Sequence, residues 1–140
     1  MTVRGAADAL LDNRGMKRPV VVLGDLNDEP QAASTQILLG PPGWELDTAG
    51  FDRPDEGDGM RLWNLAPRLV ALHPDRAFTH GFRERCELID HIFVSHVLAH
   101  ALDDVNAADV TPPSITENPT ERRDARASDH APLVARFNLS

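Results

Sequence analysis

VVVLGDLN, residues 20–27, joins a predicted apolar strand directly to two polar side chains, and the rest of the predicted architecture is built around it. Four consecutive aliphatic residues between a proline and a glycine predict a fully buried strand, since neither face alternates with polar residues. In extended backbone, residues i and i+2 share a face, so Asp25 and Asn27 are expected to point into one cleft. Both residue types also favour turns, and Pro30 follows closely, so a plain turn is the alternative interpretation.

The composition predicts a single acidic domain. With 140 residues, of which 41% are hydrophobic, the chain can bury one core but is too short for two domains. Its net charge of −8 argues against a broad basic surface that binds nucleic acid. A phosphate substrate would therefore be bound by local contacts, together with a cation. The single cysteine, Cys86, excludes a disulfide framework and a cysteine-rich zinc site. No stretch approaches the roughly 18 apolar residues of a membrane helix, and residues 1–4 do not lead into a signal-peptide core.

The remaining pattern predicts alternating helices and strands. Apolar residues at helical spacing predict an amphipathic helix over 3–13, with Thr2 as its N-cap and Gly15 as its stop. The other expected elements are a short helix at 31–39, irregular chain at 44–59, a packed segment at 60–72 interrupted by Pro67, hairpin strands at 77–80 and 88–94, and a last strand at 132–137. Residues 111–128 form an expected long loop, and loops of that length are usually functional or mobile.

A second polar signal lies in ELIDHIFV, residues 87–94. Both faces of this strand are apolar, so we expect it to be central in a sheet. An ionised Asp90 there costs several kcal/mol unless it is hydrogen-bonded or paired. His91 points to the opposite face and is a poor partner. The alternative is an aspartate bonded to backbone that marks a bulge or a strand end.

The third signal is SDHAP, residues 128–132, just before the last strand. A histidine paired with a buried carboxylate is held in one tautomer and has a raised pKa, which suits His130 to proton transfer or to stabilising charge on phosphate. Asp129 can turn toward a metal ion at the same time. The alternative is a turn that enters a strand, with His130 at the surface.

Together, GDLN (24–27), LIDHIF (88–93) and SDHAP (128–132) closely resemble the three C-terminal motifs of the endonuclease/exonuclease/phosphatase superfamily, also called DNase I-like. The order of the motifs matches, and the key aspartates are separated by 65 and 39 residues. The resemblance implies an α/β fold of the α+β kind. Residues 1–140 would be the C-terminal half of a four-layer α-β-β-α sandwich, with a mainly antiparallel or mixed sheet flanked by helices.

The resemblance also implies a divalent-metal-dependent phosphoester hydrolase, of nuclease or phosphatase type, in which water attacks phosphorus in line. Asp25 would orient or activate the water and contribute to metal binding, and Asn27 would bind a phosphate oxygen. Asp129 would be a metal ligand. His130 would contact the scissile phosphate, with Asp90 as its orienting carboxylate. Hard oxygen and imidazole groups of this kind suit Mg²⁺ or Mn²⁺.

The superfamily domain is longer than this chain, and its N-terminal half carries an asparagine and a metal-binding glutamate that have no counterpart before residue 20. We therefore expect a single domain whose N-terminal half is absent. A truncated, non-catalytic fragment or binding module is the alternative function. Apolar surface would then be exposed along 88–94 and 133–137, favouring self-association or a complementing N-terminal half.

The substrate class and the compartment stay open at this stage. Nucleic acid is the default phosphate-ester partner from the frequency of such substrates in the superfamily, while phosphoinositides, sphingomyelin and small phosphate esters are alternatives. Cytoplasmic localisation is the default, and secretion is not excluded, because a missing N-terminal segment could carry a signal peptide.

Several further side chains are weaker candidates. His96 and His100 could share one face of a helix, but without a third ligand they are better interpreted as solvated histidines than as a zinc site. Basic residues near the expected cleft could bind phosphate or lie in an exposed hairpin turn; these are His80, Arg83 and Arg85. Two aromatic residues are expected in the core rather than as base-stacking platforms; these are Trp63 and Phe78.

Overall fold

The structure, a computed structural model, describes residues 1–41, 53–82, 85–107 and 128–140. Short helices and antiparallel strands make up these residues, which confirms the expected α+β class. The helices are α1 (Val3–Leu11), α2 (Ala33–Gln36), α3 (Ala66–Leu72) and α4 (His96–His100). The strands are β1 (Val21–Asp25), β2 (Leu62–Asn64), β3 (His80–Phe82), β4 (Arg85–Glu87), β5 (Asp90–Ser95), β6 (Leu102–Ala107) and β7 (Leu133–Phe137). Two 3-10 helices cover Glu56–Gly59 and Pro74–Arg76.

β5 is the central strand of a three-stranded sheet with the order β1-β5-β2. Both neighbours pair with it antiparallel, and every residue of β5 after Asp90 is buried. Its two faces contribute to two cores, because Ile92 and Val94 lie in one apolar cluster and Phe93 lies in the other. The prediction of a central strand in 88–94 is therefore confirmed, although the strand begins at Asp90 rather than Leu88.

A second sheet covers one face of β5, and helix α1 covers the other. β6 and β7 form a two-stranded antiparallel sheet, whose Val105 belongs to the same cluster as Ile92 and Val94. Residues of α3 and α4 complete that cluster. On the opposite face, Leu11 of α1 clusters with Phe93. The layers thus follow the order helix, sheet, sheet, in agreement with an α-β-β-α sandwich.

β1 lies at the edge of its sheet, so the prediction that residues 20–23 are buried on both faces is wrong. Val21 is 43% exposed and Leu23 is 70% exposed, whereas the intervening Val22 packs against the cluster that contains α1. Among the described residues, β1 pairs only with β5. A run of valines reflects β-propensity as well as burial, and the position of a strand in a sheet depends on distant parts of the chain. The local run therefore could not distinguish an edge strand from a central one.

The expected exposure of apolar side chains is met in only one of the two strands. In 88–94 the side chains of Ile89, Ile92 and Val94 are buried, so the expectation is wrong there. In β7, Val134 is 48% exposed. Val21 and Leu23 of β1 expose further apolar surface.

Helix α1 begins as predicted and ends earlier. The Thr2 hydroxyl accepts a hydrogen bond from the Gly5 N–H at 3.1 Å, which confirms Thr2 as the N-cap. The helix ends at Leu11, because Asp12 has a left-handed backbone with a φ of 49°. Aspartate tolerates this conformation better than most residues. Gly15 is thus not the helix stop; its N–H instead donates to the Gly59 carbonyl at 2.9 Å.

Other boundaries differ from the prediction for identifiable reasons. α2 spans only four residues, and turns replace the rest of the expected helix at 31–39. Pro67 does not interrupt a helix, because it lies in the first turn of α3, where its missing N–H has no helical partner to lose. The hairpin joins β3 to β4, and β5 follows it, so the expected pairing of 77–80 with 88–94 is wrong.

Some of the predicted segments lie outside the residues that the structure describes. The long loop lies outside the described residues except for Ser128, and so does most of the segment expected to be irregular. The end of that segment forms the 3-10 helix Glu56–Gly59. None of the helices described is both long and apolar enough to cross a bilayer.

A buried ion pair lies beside α4. The Arg61 side chain is 1% exposed, and its Nη1 lies 2.6 Å from Oδ1 of the fully buried Asp58 and 3.0 Å from Oδ1 of Asp55. His96 is 3% exposed, with Nε2 3.7 Å from Asp58 Oδ2, and burial lowers the pKa of its imidazole. His96 and His100 contact each other through Nε2 at 3.0 Å. The interpretation of His96 as a solvated histidine is therefore wrong.

The contrast between two leucines tests the observed place of β1. Leu69→Ala is expected to lower the free energy of unfolding by about 2 to 5 kcal/mol, because Leu69 is fully buried. Leu23→Ala should change it by no more than about 0.5 kcal/mol, since Leu23 is mostly exposed. Urea unfolding followed by circular dichroism measures both. Equal losses in the two variants would place Leu23 in the core and contradict the edge position of β1.

Candidate active site

The site begins with two carboxylates on neighbouring strands. Asp25, the last residue of β1, lies directly opposite Asp90, the first residue of β5. The next pair along, Leu26 and Ile89, is hydrogen-bonded from N–H to carbonyl at 2.9 Å. Asp25 and Asp90 therefore occupy a non-hydrogen-bonded pair, the type in which facing side chains lie closer together. Two like charges in this arrangement repel each other unless a cation lies between them.

When protonated, His130 supplies that positive charge. Its Nδ1 lies 2.7 Å from Asp90 Oδ2, and its Nε2 lies 4.0 Å from Asp25 Oδ2. The Asp90 and His130 side chains are both about a quarter exposed. The structure therefore joins the second and third sequence motifs through an aspartate–histidine pair, and Asp90 has the partner that its position in a central strand requires.

The carboxylates around His130 change its acidity. Burial alone lowers the pKa of the imidazole. The hydrogen bond to Asp90 and the charges of Asp90, Asp129 and Asp25 raise the pKa by more than burial lowers it, so the net pKa is above its usual value. With Nδ1 bonded to Asp90, the protonated ring directs its second N–H, on Nε2, towards the cleft.

Asp25 has one oxygen held by backbone and one facing His130. Oδ1 accepts a hydrogen bond from the Asn27 N–H at 2.8 Å, while Oδ2 faces Nε2 of His130. Asn27 has a left-handed backbone with a φ of 53°, so the argument that both residues share a face of an extended strand is wrong. Asn27 is exposed beside Asp25, and its carboxamide makes no hydrogen bond within the described part of the chain. The motif is a strand end followed by an aspartate turn.

Asp129 and His80 form the other side of the cleft. Asp129 Oδ1 lies 4.0 Å from His130 Nε2, and its Oδ2 lies 3.6 Å from His80 Nε2. The rings of His80 and His130 are 4.9 Å apart between centroids. The sequence identifies His80 only as one of three basic residues near the expected cleft. Its direct contact with the third motif is a result of the fold.

The donor set fits a divalent cation. The described residues contain two groups of three possible ligands, and within each group the ligand atoms lie within 4.8 Å of one another. One group is Asp25, Asp90 and His130, and the other is His80, Asp129 and His130. Carboxylate oxygen and imidazole nitrogen are ligands that divalent metals accept. A cavity of about 300 Å³ adjoins them, lined by residues of β1, β5 and the approach to β7. His96 and His100 belong to no such group of three among the residues described.

The remaining sequence candidates lie apart from this cluster. The His91 ring lies on the opposite face from Asp90, as predicted, and its Nε2 donates to the Asp28 carbonyl at 2.8 Å. Arg85 is exposed on β4, and Arg83 lies outside the described residues. Trp63 is half-buried against the core, as expected of a packing residue.

A charge-removing variant tests the electrostatics of the pair. In the metal-free protein, Asp90→Asn is expected to lower the pKa of His130. The substitution removes the negative charge of Asp90 and weakens its hydrogen bond to His130, and both of these raise the pKa. NMR titration of the imidazole measures this pKa. Asp103→Asn, an exposed aspartate of β6 that pairs with Arg136, is the matched control and should leave the pKa unchanged.

The same pair predicts a pH dependence of stability. Folding raises the pKa of His130, so its imidazolium contributes stability that is fully present below the unfolded pKa of about 6.5 and is lost as the pH rises through the folded value. The difference in unfolding free energy between the wild type and Asp90→Asn should therefore be largest at acidic pH and shrink above about pH 6.5. A difference that grows with pH would contradict the observed arrangement.

The comparisons with known proteins agree with this geometry. The model of the Endonuclease/Exonuclease/phosphatase family matches residues 4–130, which include the first two sequence motifs, Ser128, Asp129 and His130 of the third, and His80. No curated protein and no solved structure shows a significant match to the chain. At the level of the family, the match supports a metal-dependent phosphoester hydrolase. The chain belongs to the endonuclease/exonuclease/phosphatase family.

Proposed function

We propose that this chain provides the catalytic residues of a divalent-metal-dependent phosphodiesterase or phosphomonoesterase that hydrolyses its substrate by in-line attack of water. The observation that carries the proposal is the position of His130. Its Nδ1 is bound to Asp90, while its Nε2 faces Asp25 on one side and Asp129 on the other, at 4.0 Å from each. A phosphate group between these carboxylates and a bound cation would meet a positively charged donor.

His130 is proposed to contact the scissile phosphate. With Nδ1 held by Asp90, its Nε2–H can donate to a phosphate oxygen and stabilise the charge that develops there. Asp90 is then a positioning residue, because it orients the imidazole and favours its protonated form. A preorganised donor of this kind loses little energy to reorganisation during the reaction.

Asp25 and Asn27 are proposed to bind the water and a phosphate oxygen. One oxygen of Asp25 is fixed by the Asn27 N–H, so the other has a defined direction for orienting the attacking water. The Asn27 carboxamide is exposed at the same turn and can donate to a non-bridging oxygen. The two roles are adjacent, because the turn places both residues at the end of β1.

Asp25 and Asp129 are proposed to hold Mg²⁺ or Mn²⁺. Their side chains are 40% and 46% exposed, which leaves room for water and substrate among the metal ligands. A bound cation of this kind polarises a phosphoryl oxygen and lowers the pKa of its water. The protein's own part is to hold the two carboxylates on either side of His130.

Nucleic acid is the proposed substrate by analogy with the family, and the charge of the chain limits how it would bind. A net charge of −8 favours local contacts at the site over a broad electrostatic surface. Binding should therefore depend weakly on salt compared with that of a basic nuclease. A small phosphate ester satisfies the same local contacts.

The exposed edge of β1 supports a second candidate. Leu23 and Val21 are exposed on a strand that pairs on one side only within the described residues. An unpaired edge with apolar side chains is a surface on which another segment can pair. We propose that residues 1–140 are the C-terminal part of one domain and that activity requires a complementing N-terminal half.

Substitution of the proposed site residues tests the function. Hydrolysis of bis(p-nitrophenyl) phosphate and p-nitrophenyl phosphate, with Mg²⁺ or Mn²⁺, should fall by about 10²- to 10⁴-fold in Asp25→Asn and in His130→Asn. Asp103→Asn is the matched control and should retain the wild-type rate, because this exposed side chain pairs with Arg136. Urea unfolding should show that all three variants remain folded.

The outcomes separate the two candidates. If the wild type hydrolyses these esters but Asp25→Asn and His130→Asn match it, the assigned residues are wrong. If the wild type and every variant are equally inactive, and a longer chain that includes the preceding coding sequence is active, the fragment interpretation is correct. A longer chain that is also inactive would reject both.

A further inference from the structure

His80 is held against the third sequence motif by backbone hydrogen bonds. It forms an isolated antiparallel bridge with His130. The preceding residue, Thr79, accepts the Ala131 N–H through its carbonyl at 2.8 Å and donates its own N–H to the Glu87 carbonyl at 2.9 Å. The hairpin of β3 and β4 is thus joined at Thr79 to the segment that enters β7. The position of the His80 ring beside His130 is fixed by the backbone rather than by a chance side-chain contact.

The two histidines have similar neighbours. In His130, Nδ1 is hydrogen-bonded to Asp90 Oδ2 at 2.7 Å, whereas in His80, Nδ1 lies 3.5 Å from Glu87 Oε2 and makes no hydrogen bond within the described residues. Both rings have a carboxylate near Nδ1 and place Nε2 within 4.0 Å of Asp129. In metal-binding histidines a carboxylate commonly orients the ring through one nitrogen and leaves the other for the metal ion, and a small movement of Glu87 would complete this pattern at His80.

We propose that His80 Nε2 and Asp129 are joint ligands of the metal ion, and that this imidazole makes the site favour Mn²⁺, Co²⁺ or Zn²⁺ over Mg²⁺. The inference rests on the proposed function insofar as it adds a ligand to the ion assigned to Asp129. His130 Nε2 borders the same space, and its N–H is the group proposed to meet the phosphate there. Water and substrate oxygens would occupy the other positions around the ion.

The distances suit a shared ion. Metal–nitrogen and metal–oxygen bonds of about 2.0 to 2.2 Å place neighbouring ligand atoms roughly 3 to 3.4 Å apart. His80 Nε2 and Asp129 Oδ2 are 3.6 Å apart, so a side-chain movement of a few tenths of an ångström would bring them into range. Asp129 is nearly half exposed and can make that movement, while His80 is only 14% exposed and stays in place.

The choice of metal follows from the chemistry of the ligands. Mg²⁺ is a hard cation that prefers oxygen ligands and gives up its water reluctantly. Imidazole suits softer divalent ions of the first transition row. A site made only of Asp25 and Asp129 would bind Mg²⁺ through oxygen, whereas a nitrogen ligand from His80 shifts the preference towards the transition metals. The identity of the preferred ion is therefore a property of one side chain.

Metal titration of the whole chain tests this proposal. Metal-free wild type, His80→Asn and a control variant are titrated with Co²⁺, Mn²⁺ and Mg²⁺ by calorimetry, and Co²⁺ binding is also followed by visible absorption. His73→Asn is the matched control, because His73 likewise lies beside an aspartate, with Nε2 3.4 Å from Asp104 Oδ1, but lacks a second imidazole there. Unfolding in urea checks that each variant is folded.

His80→Asn is expected to weaken Co²⁺ and Mn²⁺ binding at least tenfold and Mg²⁺ binding less than threefold, and to shift and weaken the visible d–d bands of bound Co²⁺, because these bands depend on the ligands of the ion. His73→Asn should change none of these. Equal weakening of the binding of all three ions by His80→Asn, or a Co²⁺ affinity within twofold of the wild type, would overturn the proposal.

If His80→Asn does not fold, nitrogen NMR of the wild type replaces the titration of this variant. A Zn²⁺-induced shift at His80 Nε2 supports the ligand assignment, and its absence rejects it.

The binding experiment and the hydrolysis experiment can fail separately. If hydrolysis depends on Asp25 and His130 while metal preference is independent of His80, only the inference about His80 is wrong. If Co²⁺ binding depends on His80 but no phosphate ester is hydrolysed, the proposed function fails and the metal site stands. No turnover is needed for the binding measurement.

Discussion

The register between β1 and β5 is the constraint on which the candidate site depends. It sets Asp25 opposite Asp90, where two negative charges would weaken the sheet by their repulsion. His130 offsets this repulsion, because its imidazole bonds to one carboxylate and faces the other. The protonated imidazole that offsets the repulsion between the two strands is also a positive donor in the cleft. Under the proposed function, sheet stability and phosphate recognition are therefore linked through a single ring.

The backbone around this ring is fixed from both faces of β5. On one side, the Thr79 hydroxyl accepts the N–H groups of Ile89 and Asp90 at 3.3 and 3.2 Å. On the other, the buried His91 donates to the Asp28 carbonyl just after the aspartate turn. The end of the β1 and β5 pairing that carries Asp25 and Asp90 is thereby held in place. A site built on such supports has little freedom to rearrange.

The three motifs predicted much of this cluster because short-range polar patterns at strand ends are readable in sequence. Asp90 needed a partner, and His130 was correctly named as the better choice. The edge position of β1 could not be predicted, since strand order depends on contacts across the whole chain. β6 was missed because a register shift between Leu102 and Asp104 breaks the alternation of apolar residues. His80 was undervalued because its contact, Asp129, is far away in sequence.

The left-handed backbone of Asn27 restricts which sequences can retain this site. Its φ of 53° suits glycine, asparagine or aspartate and costs most other residues about 1 to 2 kcal/mol. Glycine would accept the backbone but has no carboxamide, whereas glutamine would keep an amide on a strained backbone. Aspartate would accept the backbone but add a negative charge beside Asp25. Asparagine is thus the one common residue that suits both this backbone conformation and the role proposed for the carboxamide.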